Sequence, residues 1–298
     1  MDIREWSLLI FTILGQVSTG ALIILLIVRT YAVRKAGLEQ ADRLTDKPLF
    51  IVVPIILLAL LASLLHLGNP LNITRAVPNL GSSWLSREVI IVVIFVILAG
   101  IYTVMQWRKI SSDSVRTVIG WVAAAVGLFQ TYAMAQVYMI RTQPAWNTFA
   151  TPITFITTSL LLGALLVAVA LVATRSKDEI QLSLFRDALR GIALAAIVLV
   201  GVEFVVLPVY AIYLSTQGAA ALESLGLMIG PLGGMFVLRL VFVFAGAGLL
   251  AFYMYKNASV VGREAVLANV VYSAFILVLL GETMGRYIFY ATKVGIGL

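Results

Sequence analysis

Eight long apolar runs constrain this chain more than any other feature of its sequence. Each is close to the ~20 residues that an α-helix needs to cross the ~30 Å hydrocarbon core of a bilayer. A helix satisfies its own backbone hydrogen bonds within lipid, so runs of this length predict helices. We therefore predict an all-α polytopic protein in which residues 1–298 form one integral membrane domain. Its eight transmembrane helices are expected at about 7–28, 49–65, 88–107, 115–138, 151–173, 185–213, 235–255 and 265–290.

The composition agrees with this class. Of the 298 residues, 61% are hydrophobic and 12% are charged, whereas soluble domains carry about 25% charged residues. The first run has no signal-peptide cleavage pattern after it, so we expect it to remain as a helix. The net charge of +7 gathers in particular short loops and does not indicate nucleic-acid binding.

The positions of lysine and arginine predict the orientation in the membrane. Fourteen of them lie in the first, third, fifth and seventh loops, and five lie at the termini and in the even loops. Because cytoplasmic loops carry the excess of basic residues, both termini are predicted outside, on the periplasmic side of the plasma (inner) membrane of a prokaryote. The second loop, between His66 and Glu88, is then outside as well.

Several redox and nucleotide sites are excluded by residues that the chain lacks. It has no cysteine and one histidine, so it holds no disulfide, iron–sulfur cluster or bis-histidine haem. No histidine–carboxylate group has metal-site spacing, and no nucleotide-binding glycine motif occurs. Any electrons handled here must arrive on a diffusible ligand and leave to another protein.

The stretch from His66 to Glu88, HLGNPLNITRAVPNLGSSWLSRE, is the candidate site. His66 closes the second run and Glu88 opens the third, with Ser86 as the predicted N-cap. Helix-end fields favour imidazolium at the first position and carboxylate at the second. Such a pair can take two protons in turn from a hydroxyl-bearing ring, as oxidation of a membrane quinol requires. The same stretch supplies the other candidate quinol-binding residues: Gly68, Arg75, Ser83 and Ser86. The alternative is a structured loop capped by one histidine.

A second candidate group consists of polar residues at membrane depth. A charge there costs roughly 2.5–3.5 kcal/mol on insertion scales, so such residues usually face protein or a wet cavity. Glu282 and Arg286 lie four residues apart on one helix face and can alternatively neutralise each other. Gln16 and Gln130 are expected to form helix-to-helix hydrogen bonds. The residues assigned a structural or proton-path role are Gln16, Glu203, Arg239, Glu282 and Arg286.

Four short motifs in order resemble a known family. They are IFTxxGQ at 10–16, HLGxP at 66–70, LGSSxLSRE at 80–88 and GETMGRxxFY at 281–290. Their order and spacing resemble the membrane-anchor subunit of the dimethyl sulfoxide reductase family, which belongs to the complex iron–sulfur molybdoenzymes. These anchors are haem-free proteins of eight helices, and the resemblance runs from the first helix to the last.

The resemblance implies a role in anaerobic respiration and electron transport. This protein would anchor a four-cluster iron–sulfur subunit and a molybdopterin-bearing catalytic subunit, hold no cofactor of its own, and oxidise menaquinol or a related quinol at the outer face. The anchor would carry the quinol site without being the catalytic subunit. The quinol-site histidine and glutamate of the family would fall on His66 and Glu88. Family members often carry a basic residue where this sequence has Asn72, and Arg75 would substitute from the next turn.

Two other classes share parts of this pattern. A polysulfide-reductase-type anchor has the same eight-helix plan and couples quinone chemistry to proton translocation. A proton-linked secondary transporter also buries Glu and Arg, but usually at the midplane in broken helices. The clustering of charges toward one face and the ordered motifs favour the anchor.

Overall fold

The regular elements of the protein are helices wherever the computed structural model describes the chain, which is at residues 3–66, 79–176, 178–257, 260 and 264–296. In order along the sequence they are α1 (Ile3–Ala36), α2 (Leu38–Leu49), α3 (Val52–His66), α4 (Trp84–Arg108), α5 (Asp113–Tyr138), α6 (Ala150–Ala173), α7 (Glu179–Thr216), α8 (Ala219–Ile229), α9 (Gly233–Val243), a π-helix (Phe244–Leu250), α10 (Ala251–Asn257) and α11 (Glu264–Ala291).

The prediction of eight transmembrane helices is confirmed within these ranges. Eight helical segments are long and apolar enough to cross a membrane. Several run well past their predicted ends, because a helix does not stop where its apolar stretch stops. The first continues to Ala36 through Arg34 and Lys35, and the sixth extends from Glu179 to Thr216.

The second predicted run is divided into two helices. Its first part, α2, is amphipathic and buries Ala41, Leu44, Thr45, Pro48 and Leu49 on one face, which is the i, i+3, i+4 spacing of a helix lying on a surface. The backbone then turns through two i→i+3 hydrogen bonds before α3 begins at Val52. The proline inside the last turn of α2 favours this break, because proline cannot donate a backbone hydrogen bond.

The seventh predicted run also departs from a plain helix. Its middle is the π-helix Phe244–Leu250, between α9 and α10. Short π segments are rare and often lie at functional sites. Ahead of it stands α8, a short apolar helix that was not predicted.

The centre of the bundle consists of α1 and α6. Their apolar windows are 78% and 83% buried, whereas no other span exceeds 50%. The two helices meet at Gly20 and Gly163, where a Cβ atom on Gly20 would overlap the Ser159 carbonyl oxygen and lie 3.2 Å from the Gly163 Cα. Only glycine lets two helix backbones approach this closely.

The bundle has two ends with different chemistry. We call the end where α1 begins and α11 ends the terminus-bearing end, and the opposite one, which carries the basic odd loops, the basic end. At the basic end Arg29 contacts Asp42 at 2.9 Å and Asp113 at 2.5 Å, while Lys109 contacts Asp42 at 2.7 Å and Asp46 at 2.6 Å. These ion pairs fasten α1, α2, α4 and α5 together, so part of the basic charge is neutralised by the fold.

Candidate functional site

The start of α4 differs from the prediction in a way that moves Glu88. The N-cap is Ser83, whose side chain accepts a hydrogen bond from the Ser86 backbone N–H at 3.3 Å, so Ser86 as N-cap is wrong. The helix starts earlier because Arg87 reaches back and donates to the carbonyls of Leu80 at 2.9 Å and Gly81 at 2.8 Å. Glu88 thus lies in the second turn, where the helix-end field is already weak.

The candidate residues of this stretch are described only in part. His66 ends α3, but its side chain lies outside the description. Gly68 and Arg75 lie outside the described residues altogether. Ser83 and Ser86 form the cap of α4, which is a structural role. The assignment of His66, Gly68 and Arg75 to a quinol site therefore stays a prediction.

Glu88 itself is in an unusual position for a carboxyl group. It is 6% exposed, and among the described residues no hydrogen bond or salt bridge to its carboxyl is found. A buried polar group without a partner is rare and calls for a specific explanation. The protein leaves this group available for a ligand or for the loop that joins α3 to α4.

Two tyrosines that the sequence analysis missed lie within electrostatic range of Glu88. The Tyr138 and Tyr290 hydroxyls, from the ends of α5 and α11, are 2.9 Å apart, and Tyr290 is 3.4 Å from the Thr12 hydroxyl of α1. Both tyrosines interact electrostatically with Glu88. Tyr290 and Thr12 belong to two of the ordered motifs, which was the signal available. The pairing with Tyr138, 152 residues away, was not readable.

Aromatic rings enclose these hydroxyls. Tyr138 packs edge-on against Trp146 and Phe289, with ring centroids 5.4 Å apart in both cases. Trp146 and Phe289 stack at 5.2 Å, and the Trp146 indole donates to the Phe289 carbonyl at 2.7 Å. The terminus-bearing end thus holds a rigid apolar enclosure around a short series of hydroxyl groups.

Arg286 and Gln16 join the last helix to the first. Arg286 Nη2 donates to Gln16 Oε1 at 3.0 Å, and its guanidinium lies 3.6 Å from the Phe155 ring centre. The predicted helix-to-helix hydrogen bond of Gln16 is confirmed. That of Gln130 is wrong, because neither polar atom of its side chain finds a partner among the described residues.

The remaining charges form a second cluster beside this one. Arg239 Nη2 lies 2.6 Å from Glu203 Oε1 and 4.0 Å from Glu282 Oε1, and Glu282 Oε2 accepts a hydrogen bond from Thr158 at 2.5 Å. Glu282 and Arg286 therefore do not simply neutralise each other, and that alternative is wrong. Each reaches a different helix, so the pair connects α11 to four neighbours.

A small cavity of about 70 Å³ adjoins the second cluster. Its polar lining includes Arg239, Glu282, Arg286 and Tyr210. The Nε atoms of both arginines and Glu282 Oε1 have no hydrogen-bond partner within the described residues. A cavity of this size and polarity suits a few water molecules and is too small for a quinone. Room for Arg239 comes from Gly285, where a Cβ would lie 2.7 Å from the guanidinium carbon.

No resident metal site emerges from the described residues. No three histidine, cysteine, aspartate or glutamate side chains among them come together as metal ligands. Because the His66 side chain is outside this set, the prediction of a protein without its own cofactor stays a prediction.

Comparison with known proteins decides the family. The family model described as "DMSO reductase anchor subunit (DmsC)" matches residues 1–292. The protein belongs to this family. The resemblance inferred from the motifs is thereby confirmed, and the eight apolar helices make this member of the DmsC family a multi-pass membrane protein.

Individual relatives agree. The sequence is 28% identical over 298 residues to the DmsC-type component of the anaerobic dimethyl sulfoxide reductase of Haemophilus influenzae, covering 99% of this protein and 96% of that one. It is 30% identical over 300 residues to the anaerobic dimethyl sulfoxide reductase component YnfH of Escherichia coli, covering 99% and 97%. The third component of a sulfite dehydrogenase from Allochromatium vinosum is 28% identical over 159 residues, covering 53% of this protein and 45% of that one. Full-length matches to DmsC-type anchors favour the anchor over a transporter.

Proposed function

We propose that this protein anchors a dimethyl sulfoxide reductase-type complex in the plasma membrane and oxidises menaquinol or a related quinol at its terminus-bearing end. The observation that carries the proposal is Glu88: a buried carboxyl, without a partner among the described residues, in the second turn of the helix that follows the His66 loop. Membership of the DmsC family supports the anchoring role.

The chemistry requires two proton acceptors close to the quinol ring. A quinol that becomes a quinone releases two protons and two electrons. Glu88 takes one proton from a ring hydroxyl, and the imidazole of His66, which accepts protons near neutral pH, takes the other. The Tyr138–Tyr290–Thr12 hydroxyls, in electrostatic range of Glu88, offer hydrogen bonds that orient the carboxyl and its ligand.

The electrons must leave this protein directly. It contains no cysteine and so holds no iron–sulfur cluster that could relay them. The acceptor is therefore a cluster of the partner iron–sulfur subunit, which the proposal places over the terminus-bearing end. That subunit, with four clusters, passes the electrons to a molybdopterin catalytic subunit. The wide excess of basic residues in the odd loops supports a periplasmic location for this end.

The decisive experiment replaces Glu88 by glutamine, which keeps the size of the side chain and removes its base function. General-base contributions are typically ~10²–10⁴-fold, so quinol-dependent turnover of the assembled complex should fall by at least about tenfold. His66→Phe should have a similar effect. An artificial donor that reduces the iron–sulfur subunit directly should support normal turnover in both variants.

Glu223→Gln is the matched control, since Glu223 is an exposed carboxylate of α8 at the same end of the bundle. Its quinol-dependent turnover should equal that of the unmodified protein. Near-normal quinol oxidation by Glu88→Gln would refute the proposed role of the carboxyl. Loss of the artificial-donor activity as well would show that the variant fails to assemble, and Glu88→Asp would then replace it as the test.

A further inference from the structure

A crevice of about 460 Å³ lies between α1 and α7 at the basic end, far along both helices from Glu88. This volume is in the ~300–1,000 Å³ range of small-molecule sites. Ile27 and Leu194, on opposite walls, are 49% and 52% exposed. Because both belong to membrane-spanning helices, the crevice opens toward hydrocarbon.

The walls of the crevice are two parallel stripes. On α1 they are Ile24, Ile27, Val28 and Tyr31, and on α7 they run from Asp187 to Ala195. The α1 positions follow i, i+3, i+4, i+7 spacing, which covers two helical turns and about 10 Å along the axis. The helices make few direct contacts with each other. A space of this kind between two spans cannot stay empty in a bilayer, and lipid chains fill it.

The polar end of the crevice carries one positive charge. Lys35 and Asp187 form an ion pair there, and the Tyr31 hydroxyl donates to Asp187 at 3.2 Å, so these charges cancel. Arg190 has no such partner: within the described ranges it forms no salt bridge. Its Nη2 donates to the Tyr255 hydroxyl at 3.2 Å, and its guanidinium lies 4.6 Å from that ring.

An apolar crevice ending in a guanidinium and a phenol matches the chemistry of one ligand class. We infer that this crevice binds one anionic diacyl phospholipid, with an acyl chain between α1 and α7 and the phosphate on Arg190. Arginine suits phosphate because its planar fork donates two parallel hydrogen bonds. Basic pockets between transmembrane helices on the side of the basic loops are typical of anionic lipid recognition. The site is independent of the proposed quinol chemistry.

The sequence offers matched controls for both parts of the site. Arg108 lies at the same end with its guanidinium 4.3 Å from the Trp107 ring, and it does not line the crevice. Gly191 lines the crevice and Gly201 does not, although both are on α7 and a Cβ at either position would meet nothing within 4 Å. Leucine at position 191 therefore fills the crevice without a clash, and leucine at 201 points into free lipid.

The experiment uses the protein purified with the subunits that accompany it, stripped of lipid in detergent. Phosphatidylglycerol or phosphatidylethanolamine with the same acyl chains is then added, and bound lipid is counted by native mass spectrometry. The unmodified protein should retain one phosphatidylglycerol in preference to phosphatidylethanolamine. Arg190→Gln should weaken this binding about fivefold, the factor for one basic residue at an anionic lipid surface, and Arg108→Gln should not.

Gly191→Leu should abolish retention of that lipid, and Gly201→Leu should preserve it. Three results would overturn the inference: equal retention of the two phospholipids by the unmodified protein, equal retention by Gly191→Leu and Gly201→Leu, or a quinone bound in place of a phospholipid. Because the readout is bound lipid, none of them depends on whether Glu88 oxidises quinol.

Discussion

Alanine at position 20 should damage the protein more than any other single methyl group in its transmembrane helices. The added Cβ would lie 2.6 Å from the Ser159 carbonyl carbon, whereas carbon atoms in contact prefer about 3.5–4.0 Å. Helices α1 and α6 would have to separate by roughly 1 Å. The obstacle is backbone on both sides, so no side chain can rotate to relieve the overlap.

The cost follows from two losses. Overpacking of a well-packed interior costs typically about 1–3 kcal/mol. The separation also breaks the hydrogen bond from the Ser159 hydroxyl to the Gln16 carbonyl, now 2.7 Å, which is worth about 0.5–1.5 kcal/mol. We expect Gly20→Ala to lower the free energy of unfolding by about 2–4 kcal/mol. Because Gln16 holds Arg286, quinol-dependent turnover should fall too.

The assay is a denaturant titration of the protein in detergent micelles, with helix content measured by circular dichroism. Gly100→Ala is the control, since Gly100 is also in a spanning helix and a Cβ there would meet nothing within 4 Å. It should change stability by no more than about 0.5 kcal/mol in the unfavourable direction. Equal stability of Gly20→Ala and Gly100→Ala would refute the close approach of α1 and α6.

Two further predictions concern charge. Arg239→Leu should destabilise the protein by about 3 kcal/mol because two buried carboxylates lose their shared cation; adding Glu203→Gln should recover part of this loss in the same titration, and a double variant no more stable than the single one would contradict the pairing. Reporter fusions at Lys35 and Lys109 should report a cytoplasmic location and one at Trp146 a periplasmic location, and the reverse pattern would overturn the assignment of the quinol site to the outer side.

The spans were predictable from the sequence because each depends on a local property, the length of an apolar run. Helix ends were not, since other forces set them. The start of α4 is fixed by the Arg87 side chain, which binds two loop carbonyls seven and six residues earlier. Hydropathy carries no record of such a contact, so the prediction placed the cap at Ser86 instead of Ser83.

The pairing of buried polar groups was also outside the reach of sequence reasoning. The placement of Glu203, Arg239 and Glu282 at one end followed from the topology, but which carboxylate meets the arginine depends on how the helices turn about their axes. Spacing along one helix suggested Glu282 with Arg286, whereas the nearest partners come from helices 36 and 124 residues away. Long-range pairs of this kind, including Tyr138 with Tyr290, are set by packing.

The shared cation of the second cluster has a consequence for biogenesis. Arg239 opens the seventh span, and its closest partner, Glu203, has already been synthesised when that span leaves the ribosome, while Glu282 is still to come. The arginine therefore enters the membrane with one carboxylate available and acquires the second only when the last helix follows. The final three spans thus insert as an interdependent set, and the protein reaches electrical balance in this region only on completion of its last span.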